Sequence, residues 1–269
     1  MIKFYKFHGA GNDFILVDNR SGRTFSKEWI AKICHRRFGI GADGFITLSE
    51  PTLTESSFSM QYYNSDGNLA SLCGNGSRCI TAFAHHLGIS DQCTRFEAFD
   101  GIHTARIIEQ NSATEWEIEI EMRLNGPVQT YEDGYFLDTG SPHFVQFVKN
   151  IEEIDVYERG KRLRHDSRFP NGCNVNFVEI RNSGIFVRTY ERGVEDETLS
   201  CGTGVTASAI VYAKKQTFHN GEIEVPVATR GGDFSIRFTY RDDYFSKLKL
   251  IGPVTLAFYG EIDTVPKSV

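Results

Sequence analysis

Two short stretches of this chain carry the same chemistry. Residues 73–76 read Cys-Gly-Asn-Gly and residues 201–204 read Cys-Gly-Thr-Gly, 128 positions apart. Each feeds a run rich in small and apolar residues, free of proline and long enough for a helix. A helix N-terminus carries partial positive charge and N–H groups without intrahelical acceptors. A cysteine there has its thiolate favoured near neutral pH. Glycine beside it lets the backbone approach a ligand closely. The N–H groups of Gly74, Asn75 and Gly76, and those of Gly202, Thr203 and Gly204, can therefore cradle a carboxylate. Two such thiols flanking one carbon would move protons: one thiolate removes a proton from one face, and the opposite thiol delivers one to the other. The enediolate between these steps would be held by the same N–H groups.

The elements that must position these cysteines are also written twice. Gly11-Asn12-Asp13-Phe14 resembles Gly140-Ser141-Pro142-His143-Phe144, each a turn opening a strand. Gly11 precedes Cys73 by 62 positions, and Gly140 precedes Cys201 by 61. A strand-like run lies before each cysteine, at 58–64 and 185–191, and a glycine-broken strand pair follows each helix, at 95–108 and 222–238. Matching motifs in matching order imply a duplicated α+β chain. Its halves are expected at 1–123 with 258–269, and at 124–257, with Asn125-Gly126-Pro127 as linker. The cleft between pseudo-twofold halves is the expected site, with Cys73 facing Cys201. Further strands are expected at 3–7, 14–19, 45–48, 115–122, 176–180 and 247–251, and 254–262 could return to the first half. A helix capped by Ser26 is expected over 27–37, and another near 151–158.

The composition narrows the class. The chain has 269 residues, a net charge of −6, 24% charged and 40% hydrophobic residues. That suits a globular protein with one large or two smaller domains and gives nucleic-acid binding no electrostatic support. No apolar run reaches membrane-spanning length. The first residues read as a strand rather than a signal peptide, so a cytoplasmic location is expected. Six cysteines without a Cys-x-x-Cys pair suit neither a disulfide scaffold nor a common zinc site. No Gly-x4-Gly-Lys-Ser/Thr phosphate loop occurs, and Gly9-Ala-Gly11-Asn12 is too short and too early for a dinucleotide fingerprint, so neither cofactor nor metal is expected. The remaining partner is a small-molecule amino acid, and exposed strand edges suit a homodimer. A redox thiol pair, a thiol hydrolase using His143, and a pure binding module remain as other readings. None of them explains the duplication.

Six motifs together carry a family resemblance: His8-Gly-Ala-Gly-Asn-Asp-Phe14, Tyr63-Asn-Ser-Asp-Gly67, Cys73-Gly-Asn-Gly-Ser-Arg-Cys79, Gly140-Ser-Pro-His143, Tyr190-Glu-Arg-Gly193 and Cys201-Gly-Thr-Gly204. The chain resembles the diaminopimelate epimerases from residue 3 to about residue 262. The wider superfamily includes proline racemases and phenazine-pathway isomerases. The resemblance implies a fold in which each half wraps a mostly antiparallel sheet or barrel around a central helix. It implies interconversion of LL- and meso-diaminopimelate, toward lysine and peptidoglycan, with Cys73 and Cys201 as the bases and His143 and Glu191 beside them. It implies that Gly74, Asn75, Gly202 and Thr203 bind the reacting end. Asn12, Asn64, Asn174, Glu191 and Arg192 match the family's other substrate positions. A guanidinium at Arg192 suits bidentate carboxylate recognition. Cys34 and Cys79 read as core residues. Three departures bear on substrate recognition: Gly44 where some members carry Gln, Ser141 where many carry Asn, and ten positions between Glu191 and Cys201.

Overall fold

Ala10 and Gly11 both have positive φ, 51° and 85°, and join the paired residues Gly9 and Asn12. A two-residue turn of this kind matches the twist of the strands it connects. It makes Asn12 the first residue of a strand. The computed structural model describes residues 1–70, 73–216 and 218–263. They fall into two compact units, Met1–Ile120 with the chain from Pro253, and Glu121–Gly252. No helix among the described residues is long and apolar enough to cross a membrane.

The first unit holds β1 (Ile2–Gly9), β2 (Asn12–Asp18), α1 (Lys27–Cys34), β3 (Gly44–Ser49), β4 (Phe58–Asn64), α2 (Gly74–His86), β5 (Cys93–Ala98), β6 (Gly101–Ser112) and β7 (Glu115–Glu121). These strands neighbour one another in chain order. The far end of the last strand, at 255–262, pairs antiparallel with β1 and closes the ring. Inside runs α2, whose residues 74–84 are all buried. A helix buried on every side needs no solvent-facing polar stripe, and its polar groups must find partners inside. Its small residues let it fit, and Thr81 returns its hydroxyl to the Ser77 carbonyl at 2.8 Å.

The second unit repeats this order. It holds β8 (Gln129–Tyr131), β9 (Gly134–Asp138), β10 (Pro142–Phe147), a 3-10 turn (Ile151–Glu153), α3 (Val156–Arg164), β11 (Asn174–Arg181), β12 (Gly184–Glu191), β13 (Asp196–Thr198), α4 (Gly202–Gln216), β14 (Gly221–Ala228), β15 (Asp233–Arg241) and the first part of β16 (Tyr244–Ile262). Parallel pairings occur at matching places, β2 with β3 and β4 with β5 in one unit, β10 with β11 and β12 with β14 in the other. The other strand pairings whose register is resolved are antiparallel. Buried α4 satisfies its own hydroxyls, Thr206 to Gly202 O at 2.9 Å and Ser208 to Gly204 O at 2.8 Å.

Two helices differ from the sequence reading. Ser26 caps α1, accepting from Trp29 N at 3.2 Å, but the helix stops at Cys34 rather than Arg37. His35 is extended, and its Nδ1 accepts from the N–H groups of Arg37 and Phe38. That turn releases Arg36 toward acidic partners. The expected 151–158 helix is two elements, because Ile154 is extended. Asp155 then caps α3, accepting from Glu158 N at 3.0 Å, and α3 continues to Arg164. Short β8, β9 and β13 had no clear period in the sequence.

Candidate active site

Cys73 and Cys201 each stand immediately before a buried helix. Their carbonyls accept the first intrahelical bonds, from Ser77 N at 2.7 Å and Val205 N at 2.9 Å. The next N–H groups point out of the helix end without intrahelical acceptors, and the helix dipole favours an anion there. The final glycine of each motif does something the sequence did not reveal. A Cβ on Gly204 would lie 2.4 Å from Asn176 Oδ1, and one on Gly76 would lie 3.1 Å from Ile46 Cδ1. These glycines let the helix start press against β11 and β3.

Around Cys73 the polar groups form one connected set. Cys73 Sγ lies 3.7 Å from Asn12 Oδ1, which also accepts from Asn75 Nδ2 at 3.1 Å. Asn12 Nδ2 donates to Asp43 at 2.7 Å. Arg36 spans Asp13 and Asp43 at 2.7 and 2.6 Å, and Lys6 meets Asp13 at 2.6 Å. Burial alone would raise the Asp13 carboxyl, but Arg36 and Lys6 outweigh it and hold it well below the usual carboxylate range. Below the thiol, Arg78 is wholly buried and donates to Asn75 Oδ1 at 2.8 Å and to Gly74 O at 3.3 Å. Burial pushes its guanidinium down to about 10, against the Cys79 and Cys73 thiols. Asn64 ends β4 in an exposed position across from Gly44. A Cβ on Gly44 would lie 2.5 Å from the Tyr62 ring and 2.7 Å from Tyr63 O, so Tyr62 fills the space a side chain there would need.

Around Cys201 the partners are different. Thr203 Oγ1 lies 3.4 Å from Cys201 Sγ and 2.8 Å from His143 Nε2. His143 is fully buried on β10, and its Nδ1 lies 3.0 Å from Asn176 Nδ2. Burial, with Arg192 adding repulsion, pushes the imidazole down to about 3, so it is neutral near pH 7. Thr139 Oγ1 fixes the loop by donating to Thr203 O at 2.8 Å. Asn174 is 3% exposed, with both amide atoms engaged: Nδ2 with Ser141 Oγ at 2.9 Å, and Oδ1 with Arg192 N at 2.9 Å. It ties the Ser141 turn to Arg192. Glu191 ends β12, half-buried, with its carbonyl accepting from Glu195 N at 2.8 Å.

Sequence reasoning missed Arg78 and Asn176. Arg78 stands three residues after Asn75 in a helix, one turn away on the same face. Asn176 stands two residues after Asn174 in a strand, again on the same face. Both spacings were available. Burial pushes Cys34 and Cys173 up to about 12, and Cys79 higher, which suits packing rather than thiolate chemistry.

The sequence model of the diaminopimelate epimerase family matches residues 4–122 and 135–255. A diaminopimelate epimerase of Flavobacterium psychrophilum is 44% identical over 262 residues, covering 96% of this chain and 98% of that one. The chain belongs to the diaminopimelate epimerase family. Its members are isomerases, and so is this protein. Among solved structures, a PhzF-family phenazine biosynthesis protein of Bacillus anthracis aligns with a TM-score of 0.75 at 15% identity, covering 97% of this chain and 98% of that one. A hydroxyproline epimerase of Agrobacterium vitis aligns with a TM-score of 0.67 at 13% identity, covering 96% and 91%. These likenesses show the fold, shared with proteins outside the family.

Proposed function

We propose that this chain interconverts LL- and meso-diaminopimelate by passing the α-proton between two thiols, Cys73 and Cys201, with no cofactor. The substrate reading rests on family membership over nearly the whole chain. The doubled cysteine at a helix start supports the chemistry. The substrate carboxylate takes N–H groups from the starts of α2 and α4, through Gly74, Asn75, Gly202 and Thr203. These donors also stabilise the enediolate as charge moves onto the carboxylate.

The two thiols have unequal surroundings. Cys73 Sγ lies 3.7 Å from Asn12 Oδ1, an oxygen that can only accept, and this contact favours the thiol. Cys201 Sγ lies 3.4 Å from the Thr203 hydroxyl, which can donate, and this contact favours the thiolate. Cys201 takes the α-proton and Cys73 delivers one to the opposite face; each turnover leaves the protons exchanged, and that form runs the reverse direction with Cys73 as the base. Glu191 and Arg192, with Asn12, Asn64 and Asn174 shaping the loops, serve the amino-acid groups of the substrate. Arg192 suits a carboxylate. Free thiols at these positions suit the cytoplasm. Exposed Phe258 and Tyr259 on β16 suit a homodimer.

The deciding experiment is hydrogen exchange in deuterated water, without pyridoxal phosphate. LL-diaminopimelate should gain deuterium at the α-carbon as it epimerises, while proline and 4-hydroxyproline should not. Exchange that occurs only with added pyridoxal phosphate would remove the two-thiol mechanism. Exchange of proline instead would move the substrate.

A further inference from the structure

His143 has two ring nitrogens, and which one carries the proton decides what Thr203 can do. The neighbour that settles this is buried. Asn176 has no exposed surface. Its Nδ2 lies 3.3 Å from the Phe144 carbonyl and 3.0 Å from His143 Nδ1, while its Oδ1 accepts from Thr189 Oγ1 at 3.0 Å. The Phe144 carbonyl can only accept, so the atom facing it is the NH2 group. The same NH2 group then faces Nδ1, which must present its lone pair.

We propose that Asn176 is a positioning residue: it locks His143 in the Nε2–H form and, through His143, aims the Thr203 hydroxyl at Cys201. The neutral ring has its proton on Nε2 and donates it to Thr203 Oγ1. Because that oxygen is already accepting, its own proton turns to the next acceptor, Cys201 Sγ. The donors run in one direction, from Asn176 to His143 to Thr203 to the sulfur. A thiolate receiving an O–H is favoured over the thiol. In the first unit the equivalent strand position holds Ile46, whose side chain has no hydrogen-bonding group. Ile46 touches Gly76 where Asn176 would touch a Cβ on Gly204. The inequality of the two thiols is thus traced to one strand residue of the second unit. Burial keeps the ring neutral, and the charged group that bears on it, Arg192, adds repulsion in the same direction.

This inference rests on the reading of Cys201 as a proton-transfer thiol, but its first measurements need no substrate. The full-length chain labelled with nitrogen-15 histidine should show a protonated Nε2 and an unprotonated Nδ1 for His143, assigned by loss of the signal in His143→Gln. Asn176→Asp replaces the donor with an acceptor of the same shape and should move the proton to Nδ1. Asn176→Ala should release the preference. In a background carrying both Cys73→Ser and Cys93→Ser, which removes the thiols that are not buried, thiolate absorbance reports Cys201, and its titration should move upward in both variants. Turnover of the single variants should fall roughly tenfold or more in kcat, with KM within about twofold, because a buried Asn176 cannot touch substrate. A parent protein with the proton on Nδ1 overturns the inference without any variant having to fold. So do folded variants whose Cys201 titration matches the parent. Failure of α-hydrogen exchange in the parent would instead overturn the two-thiol reading and leave the tautomer result standing.

Discussion

His143 Nε2 lies 2.8 Å from Thr203 Oγ1, and the same hydroxyl lies 3.4 Å from Cys201 Sγ. A buried imidazole and a helix-start cysteine are thereby joined through one hydroxyl, two residues along the motif from the thiol. The residue between the two glycines of the second Cys-Gly-x-Gly motif is more than a loop filler. In the first motif the corresponding residue, Asn75, turns its side chain to Asn12 and Arg78 instead.

Thr203→Val keeps the shape and removes the hydroxyl. A hydrogen bond to a charged group contributes about 1.5–3 kcal/mol. Loss of that bond should lower kcat by roughly 10- to 100-fold and raise the Cys201 titration, as read by thiolate absorbance. Steady-state kinetics that leave kcat unchanged would show that the hydroxyl does not act on the sulfur.

Cys73→Ala and Cys201→Ala should each abolish epimerisation, since inversion needs a donor and an acceptor of the proton. Product formation from LL-diaminopimelate, followed by chiral chromatography, is the measurement. Full activity in either variant would exclude a two-base site.

His143 should make the fold sensitive to mild acid. Its folded value is about 3, below the ordinary 6.5. Between these values the unfolded chain binds a proton and the folded chain does not. Stability is therefore complete above about pH 6.5 and is lost as pH falls toward 3, with a limiting slope of about 1.4 kcal/mol per pH unit. Asp13, also held low, adds to the loss only in more acid solution, below its unfolded value of about 3.8. Urea midpoints of the parent and His143→Gln at pH 7, 6 and 5 should separate the two: the parent weakens over this range and the variant weakens less.

Gly44→Ala should destabilise the first unit by about 1–3 kcal/mol, the usual cost of overpacking. The added carbon meets Tyr62 and the Tyr63 carbonyl, and only the ring can move. Thermal unfolding measures this. Unchanged stability would mean that Tyr62 gives way freely.

Much of the fold was legible because it is written twice. The Ser26 cap and the helices after Cys73 and Cys201 follow from local chemistry, and each reappears in the structure. The limits of α1 and α3 were not legible. They depend on single extended residues, His35 and Ile154, whose side chains differ little from those of helix formers.

The candidate site divides along the same line. Residue type and spacing alone implied that two cysteines begin two helices whose free N–H groups could hold a carboxylate, and that the chain resembles one epimerase family. The tertiary structure decided the partners of each sulfur. Asn12 reaches Cys73 from a strand 61 positions earlier, and His143 reaches Thr203 across 60. Asn176 and Arg78 act from buried positions where spacing names a face but not a neighbour. Hydrogen-bond direction depends on which atoms meet across such distances, and only the folded sheet brings them together.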